Sequence, residues 1–180
     1  MRKYAIALAL ITLVAGLTLD GRRALSGTRQ GFGFNAELIS GFPDGRAAEL
    51  TGGGSYDEVT GSVKSGGGFR CLADITGGPF TGCLAGQGVR WDTAALLPST
   101  AFKCTGDALE AGKTATTSDT TVVLLADFYR QGDGINESFT AKMFVSKSDL
   151  APDIAGVQNV WIQGIGCGTV GCGTAITNFN

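Results

Sequence analysis

Two neighbouring stretches in the second half of the chain restrict its fold more than anything else in it. Residues 121–129, TVVLLADFY, form a nearly continuous apolar run that is β-branched at its start. Residues 138–147 alternate instead, with Phe139, Ala141, Met143 and Val145 on one side and Ser138, Thr140, Lys142 and Ser146 on the other. A period of two marks a half-buried strand, and a short unbroken apolar run marks a strand covered on both faces. Turn residues at Gly132-Asp133-Gly134 lie between them, so the pair predicts an antiparallel hairpin.

The rest of the chain extends this pattern. Residues 32–39 alternate, with Phe32, Phe34, Ala36 and Leu38 on one face. Further short strands are expected at 47–50, 55–64, 69–75, 80–84, 88–91, 100–105, 157–165 and 173–179. The triplets Gly52-Gly53-Gly54 and Gly66-Gly67-Gly68 read as turns between strands, and residues 55–64 as an edge strand or two arms kinked at Gly61. Only residues 92–99, stopped by Pro98, and 107–113 suggest a helical turn. The predicted fold class is all-β, a disulfide-stabilised antiparallel β-sandwich or barrel of about eight to ten short strands.

The stretch from Gly67 to Thr105 is the expected centre of that fold. It holds three of the five cysteines and the echo Phe69-Arg70-Cys71 against Phe102-Lys103-Cys104. Cys71, Cys83, Cys104, Cys167 and Cys172 read as disulfide formers, with one left over because five is odd. Thr76-Gly77-Gly78-Pro79 is turn chemistry that would bring Cys71 to Cys83, leaving Cys104 to pair with Cys167 or Cys172. The second echo, Gly166-Cys167-Gly168-Thr169 against Gly171-Cys172-Gly173-Thr174, is too short for a repeat architecture.

At the N-terminus, Met1-Arg2-Lys3 precedes an apolar run to Leu19, the pattern of a secretory signal. Cleavage is expected after Gly16. Residues 17–31 then form a polar, basic arm and 32–180 a single domain of ample size for a core. Without Arg2 and Lys3 the chain carries 12 basic and 16 acidic residues. That balance excludes nucleic acid as the expected partner, and it excludes a membrane partner once the signal is removed. Self-assembly or an extracellular ligand remains. Localisation is expected to be secreted, extracellular or periplasmic.

Histidine is absent, which removes Ser-His-Asp and Cys-His catalysis and imidazole-based zinc sites. Gly166-x-Gly168-x-x-Gly171 lacks the helix and downstream acid of a dinucleotide site, and no cofactor is implied. Asp74, Asp92, Asp127 and Glu137 are candidates for a carboxylate pair, although no spacing singles out two of them. Asp133, Asn136 and Glu137 offer oxygen ligands for Ca²⁺ on a turn, without the EF-hand pattern. Arg90, Trp91, Asp92 and Trp161 are the candidate ligand surface, set against the alternative that both tryptophans are core. The functional expectation is a secreted, non-enzymatic β-domain with a structural or binding role, including a fibre subunit whose first strand adds to a neighbour's sheet. The alternative is a secreted, glycosidase-like hydrolase using acidic residues.

Overall fold

The computed structural model describes residues 28–40, 48–76, 81–105, 107–130, 138–164 and 170–180, with only the backbone of Leu38, Ser40, Val89, Arg130 and 170–173. Among them there is no helix. Ten strands run β1 (Gln30–Ser40), β2 (Ala48–Asp57), β3 (Ser62–Cys71), β4 (Gly88–Leu97), β5 (Ser99–Phe102), β6 (Lys113–Thr116), β7 (Thr121–Arg130), β8 (Ser138–Ser146), β9 (Val160–Gln163) and β10 (Val170–Phe179). Eight of them close into an antiparallel barrel in the order β1-β10-β9-β8-β7-β4-β3-β2, and β5 and β6 form a separate ribbon. Apart from that ribbon, inserted between β4 and β7, each barrel strand pairs with its neighbours in sequence, an up-and-down meander.

The predicted hairpin is present as β7 and β8, with Val122 opposite Val145 and Phe128 opposite Phe139. Its alternation is the alternation of the wall. Val122, Leu124, Ala126 and Phe128 point inward with Ala141, Met143 and Val145, and all are buried. Eight strands leave an interior just wide enough for side chains to fill. Here Phe32, Phe34, Leu50, Phe69, Trp91 and Ile162 complete the filling. On β1 a bulge between Ala36 and Ile39 brings Ile39 into the core. The expected inward position of Leu38 concerns a side chain that is not described.

The glycine triplets are not turns. Gly52 pairs with Gly67 and Gly53 with Gly66 in the middle of the β2–β3 ladder, while the actual turn lies at 58–61, with Gly61 at φ 69°. Residues 55–64 therefore divide into two arms, as the kink at Gly61 suggested. The triplets sit mid-strand because Trp91, opposite Gly67 on β4, lays its indole across the inner face of both glycines. Its Nε1 donates to the Thr51 carbonyl at 2.9 Å. Glycine in a strand marks a tight bend or a close approach, and the indole occupies the vacated volume.

Two helical expectations are overturned. Residues 92–97 continue β4, where cross-strand pairing with β7 outweighs their weak helical tendency, and Pro98 separates β4 from β5. The described residues of 107–113 are turns leading into β6. The strand expected at 80–84 is replaced, from Thr81 on, by turns, and β3 ends at Cys71 rather than Ile75. Cys71 is bonded to Cys83, with Cα atoms 6.3 Å apart. Backbone hydrogen bonds from Ile75 N to Cys83 O and from Cys71 N to Gln87 O fold this loop over one end of the barrel, where Ile75 and Cys83 join the core. Cys104 is disulfide-bonded as well. The choice between Cys167 and Cys172 as its partner lies outside the described side chains.

The ribbon covers an apolar patch on the outer wall. Phe102 packs against Phe144 at 4.7 Å and Trp161 at 5.9 Å between ring centroids, with Val123 and Ala115 around them. The two echoes thus part company: Phe69 and Cys71 line the interior, Phe102 and Cys104 the ribbon cluster. Closure has one further consequence. β1 is hydrogen-bonded to β2 on one side and β10 on the other, so its edges are both occupied and strand addition to a neighbour would require opening the barrel.

Candidate functional site on the outer wall

Strand alternation that sends the core inward sends a second set of residues out, and register aligns them in rows. One row reads Asn35, Thr51, Gly68, Arg90, Tyr129 and Ser138 across β1, β2, β3, β4, β7 and β8. The next reads Gly33, Gly53, Gly66, Asp92, Asp127 and Thr140 across the same strands. The wall is therefore divided. On β1–β3 it is a glycine-rich platform from which Asn35 and Thr51 project, and on β4, β7 and β8 it rises into a polar ridge.

The ridge is organised by one cation. The Arg90 guanidinium carbon stands 5.3 Å from the centroid of the Tyr129 ring, and its Nε lies 3.4 Å from Asp92 Oδ2. Such a stack fixes a flexible guanidinium in one plane. Asp92 lies directly opposite Asp127, which accepts a hydrogen bond from Thr140 Oγ1 at 2.6 Å. Like charges facing each other across strands repel, and Arg90 and Thr140 offset that repulsion. At the far margin of the platform Arg70 is held by Glu49 through Nε and Nη2 at 2.9 and 2.8 Å.

The expected surface of Arg90, Trp91, Asp92 and Trp161 is split by the wall. Arg90 and Asp92 are on the outer ridge, whereas Trp91 is fully buried inside the barrel and Trp161 is 1 % exposed beneath the ribbon. Both tryptophans are core, because alternation turns Trp91 inward from its neighbours and the ribbon seals Trp161. Of the four candidate acids, Asp92 and Asp127 come together, and Asp74 instead accepts a hydrogen bond from Ala85 N at 2.8 Å within the disulfide loop. Glu137 and the Ca²⁺ candidates Asp133, Asn136 and Glu137 lie outside the described residues. Among the described residues no three metal-ligating side chains gather.

The glycine-rich platform was missed because consecutive glycines read as turns. Its signal lies in Gly31-Phe32-Gly33-Phe34, where glycine occupies the outward half of a clear alternation.

A second polar cluster has a structural task. Glu110 accepts from Cys104 N, Thr105 N and Thr105 Oγ1, each at 2.7 Å, and from Lys113 Nζ at 3.1 Å. Burial raises its pKa, but these donors together outweigh it and hold the carboxyl at about 2. Lys113, which also reaches Asp153 Oδ2 at 3.0 Å, has its pKa raised chiefly by that hydrogen bond. The cluster clasps the ribbon's connecting loop to the loop after β8. No family model matches the chain, and neither a curated protein nor a solved structure matches it.

Proposed function

We propose that this chain is an exported, non-enzymatic β-barrel domain that acts by binding at the cell exterior through its outer wall. The observation carrying this is the filled interior: the core residues occupy the barrel, and the polar chemistry of the strands lies outside, on the Arg90–Tyr129–Asp92–Asp127 ridge. Barrels that carry ligands inside need larger or emptier interiors. Export is supported by the basic-then-apolar N-terminus and by the Cys71–Cys83 disulfide, which fits an oxidising compartment. The polar outward positions, among them Glu49, Arg70, Arg90, Asp92 and Lys142, reverse the pattern of a lipid-facing barrel.

The test is retention of labelled protein on intact cells of the producing organism. Saturable retention, lost on Arg90→Ala with unchanged thermal stability, is the expected result. No saturable retention, or retention indifferent to the outer wall, rejects the proposal.

The second reading, a hydrolase using acidic residues, draws on Asp92 facing Asp127 across β4 and β7. It expects turnover abolished in both Asp92→Asn and Asp127→Asn. A broad panel of glycosides and esters that yields no turnover removes it.

A further inference from the structure

Beside the base of the ribbon lies a cleft separate from the polar ridge. It measures about 320 Å³ and is lined by Glu58 and Gly61 of the β2–β3 turn, by Leu96, Leu97 and Pro98, and by Thr116 of β6. Its floor belongs to two layers at once. Leu96 packs on the barrel interior and Leu97 on the cluster beneath the ribbon, and Pro98 leads from β4 to β5.

Two carboxylates overlook this floor. Glu58 is exposed at its lip, and Asp119, also exposed, follows two residues after Thr117, another lining residue. Both lie near enough to Tyr56 for their charges to raise its pKa. Among the described residues neither acid forms an ion pair: Arg29 turns its Nε to Ser55 Oγ, and Lys64 and Lys147 pair with neither. Asp57, by contrast, is satisfied by the amides of Val59 and Thr60. An apolar floor under two unpaired carboxylates fits a segment that joins an aliphatic side chain to cations.

The chain carries such a segment. Arg22-Arg23-Ala24-Leu25 precedes β1, outside the described residues, with Asp20 the one acid between Leu17 and Thr28. Gln30 pairs with Tyr56, and the same register brings the chain to Thr28 level with Glu58. An extended residue spans at most about 3.5 Å, so Leu25 reaches roughly 10 Å from Thr28 and Arg23 roughly 17 Å. From β1 to β4 is three strand spacings, about 14 Å. The floor lies within the tether, and Glu58 sits at its root.

We propose that this cleft seats the chain's own basic arm, with Leu25 on Leu96 and Pro98 and with Arg22 and Arg23 at Glu58 and Asp119. The occupant is the same molecule's arm, because a tether this short holds it at an effective concentration on the order of 1 mM. The cleft and the ridge share no residue, so seating of the arm is independent of binding at the ridge.

The experiment follows trypsin cleavage after Arg22 and Arg23 in the chain beginning at Leu17, with mass spectrometry reading those two bonds. Cleavage of a docked segment tracks the fraction released, so protection measures occupancy. The parent should be cut about tenfold or more slowly than a synthetic peptide of residues 17–31. Glu58→Gln with Asp119→Asn should remove most of that protection, as should Thr116→Trp, which fills the cleft. Thr114→Gln, on the exposed face of β6, should change nothing. If Thr116→Trp does not fold, the acid pair, both at exposed positions, carries the test. Cleavage as fast as in the peptide overturns the proposal, and so does protection indifferent to the acid pair or to a folded Thr116→Trp. Protection that grows with protein concentration, together with a dimer in sedimentation, also overturns it and gives the cleft to a second copy's arm.

Discussion

The indole of Trp91 lies against the Cα of Gly52, two strands away, across the bare backbone of Gly67. A Cβ at Gly52 would collide with the indole and would also stand 2.8 Å from the Gly66 carbonyl oxygen, an atom that cannot move without breaking the ladder. Gly52→Ala is therefore expected to destabilise by about 1–3 kcal/mol, the usual cost of overpacking. Trp91→Phe, which leaves the Thr51 carbonyl without its donor and opens a void, is expected to cost on the order of 2–4 kcal/mol. Because the two residues compete for one volume, the double variant should lose at least about 0.5 kcal/mol less than the sum. Denaturant unfolding of the four proteins measures this, and strict additivity would refute the proposed fit.

The Cys71–Cys83 bond closes a short loop whose Ile75 is part of the core. In the chain-entropy view, cross-linking across 12 residues stabilises by about 3 kcal/mol. Cys71→Ala with Cys83→Ala should lower stability by that order and should expose the loop's backbone amides. Hydrogen exchange at Ile75 and Gly82, whose amide nitrogens donate to Cys83 O and Ile75 O, is the local readout. Protection there that survives the double substitution would show that the loop is held by packing alone.

How much of this was legible in the sequence depends on how local the determining contact is. The β7–β8 hairpin, the inward face of β8 and that of β1 as far as Ala36 follow from period-two patterning over a few residues, and pairing preserved them. The Cys71–Cys83 bridge was legible because its turn chemistry lies between the two cysteines. The glycine triplets were misread because their reason, the Trp91 ring, sits 39 residues from Gly52 and acts only after the barrel closes. Residues 92–97 looked helical for the same kind of reason, since the partner that makes them a strand is β7. Asp92 and Asp127 are 35 positions apart, and only register places them side by side.

Acid should loosen the ribbon before it opens the barrel. Glu110 has its carboxyl held at about 2 against an ordinary 4.5, so the folded state binds its proton less readily than the unfolded state does. Its contribution is thus fully present above pH 4.5 and is lost as pH falls towards 2. Glu110→Gln, which keeps the shape and removes the charge, should cost about 1–3 kcal/mol at neutral pH through the weakened donors from Cys104, Thr105 and Lys113. It should also flatten stability across that acid window. Fluorescence of Trp161, whose Nε1 donates to the Lys103 carbonyl at 3.1 Å, reports the ribbon directly. An unchanged acid profile in Glu110→Gln would place the sensitive carboxylate elsewhere.

The opposite end of the pH scale tests Tyr56. Tyr56 points into the core near Phe32, and its hydroxyl donates to the Ser118 carbonyl. Burial first, and the nearby Glu58 and Asp119 charges second, push its pKa up to about 12 from 10. The folded state therefore holds this proton more tightly than the unfolded state, and stability should fall as pH rises from 10 towards 12. Tyr56→Phe removes both the titration and the hydrogen bond, leaving the Ser118 carbonyl unpaired at an expected cost of about 1–2 kcal/mol. Unfolding measured at pH 8 and at pH 11 separates the two contributions. The variant should be weaker than the parent at pH 8, and the gap should narrow by pH 11; a gap that stays constant would mean that Tyr56 titrates like an exposed phenol.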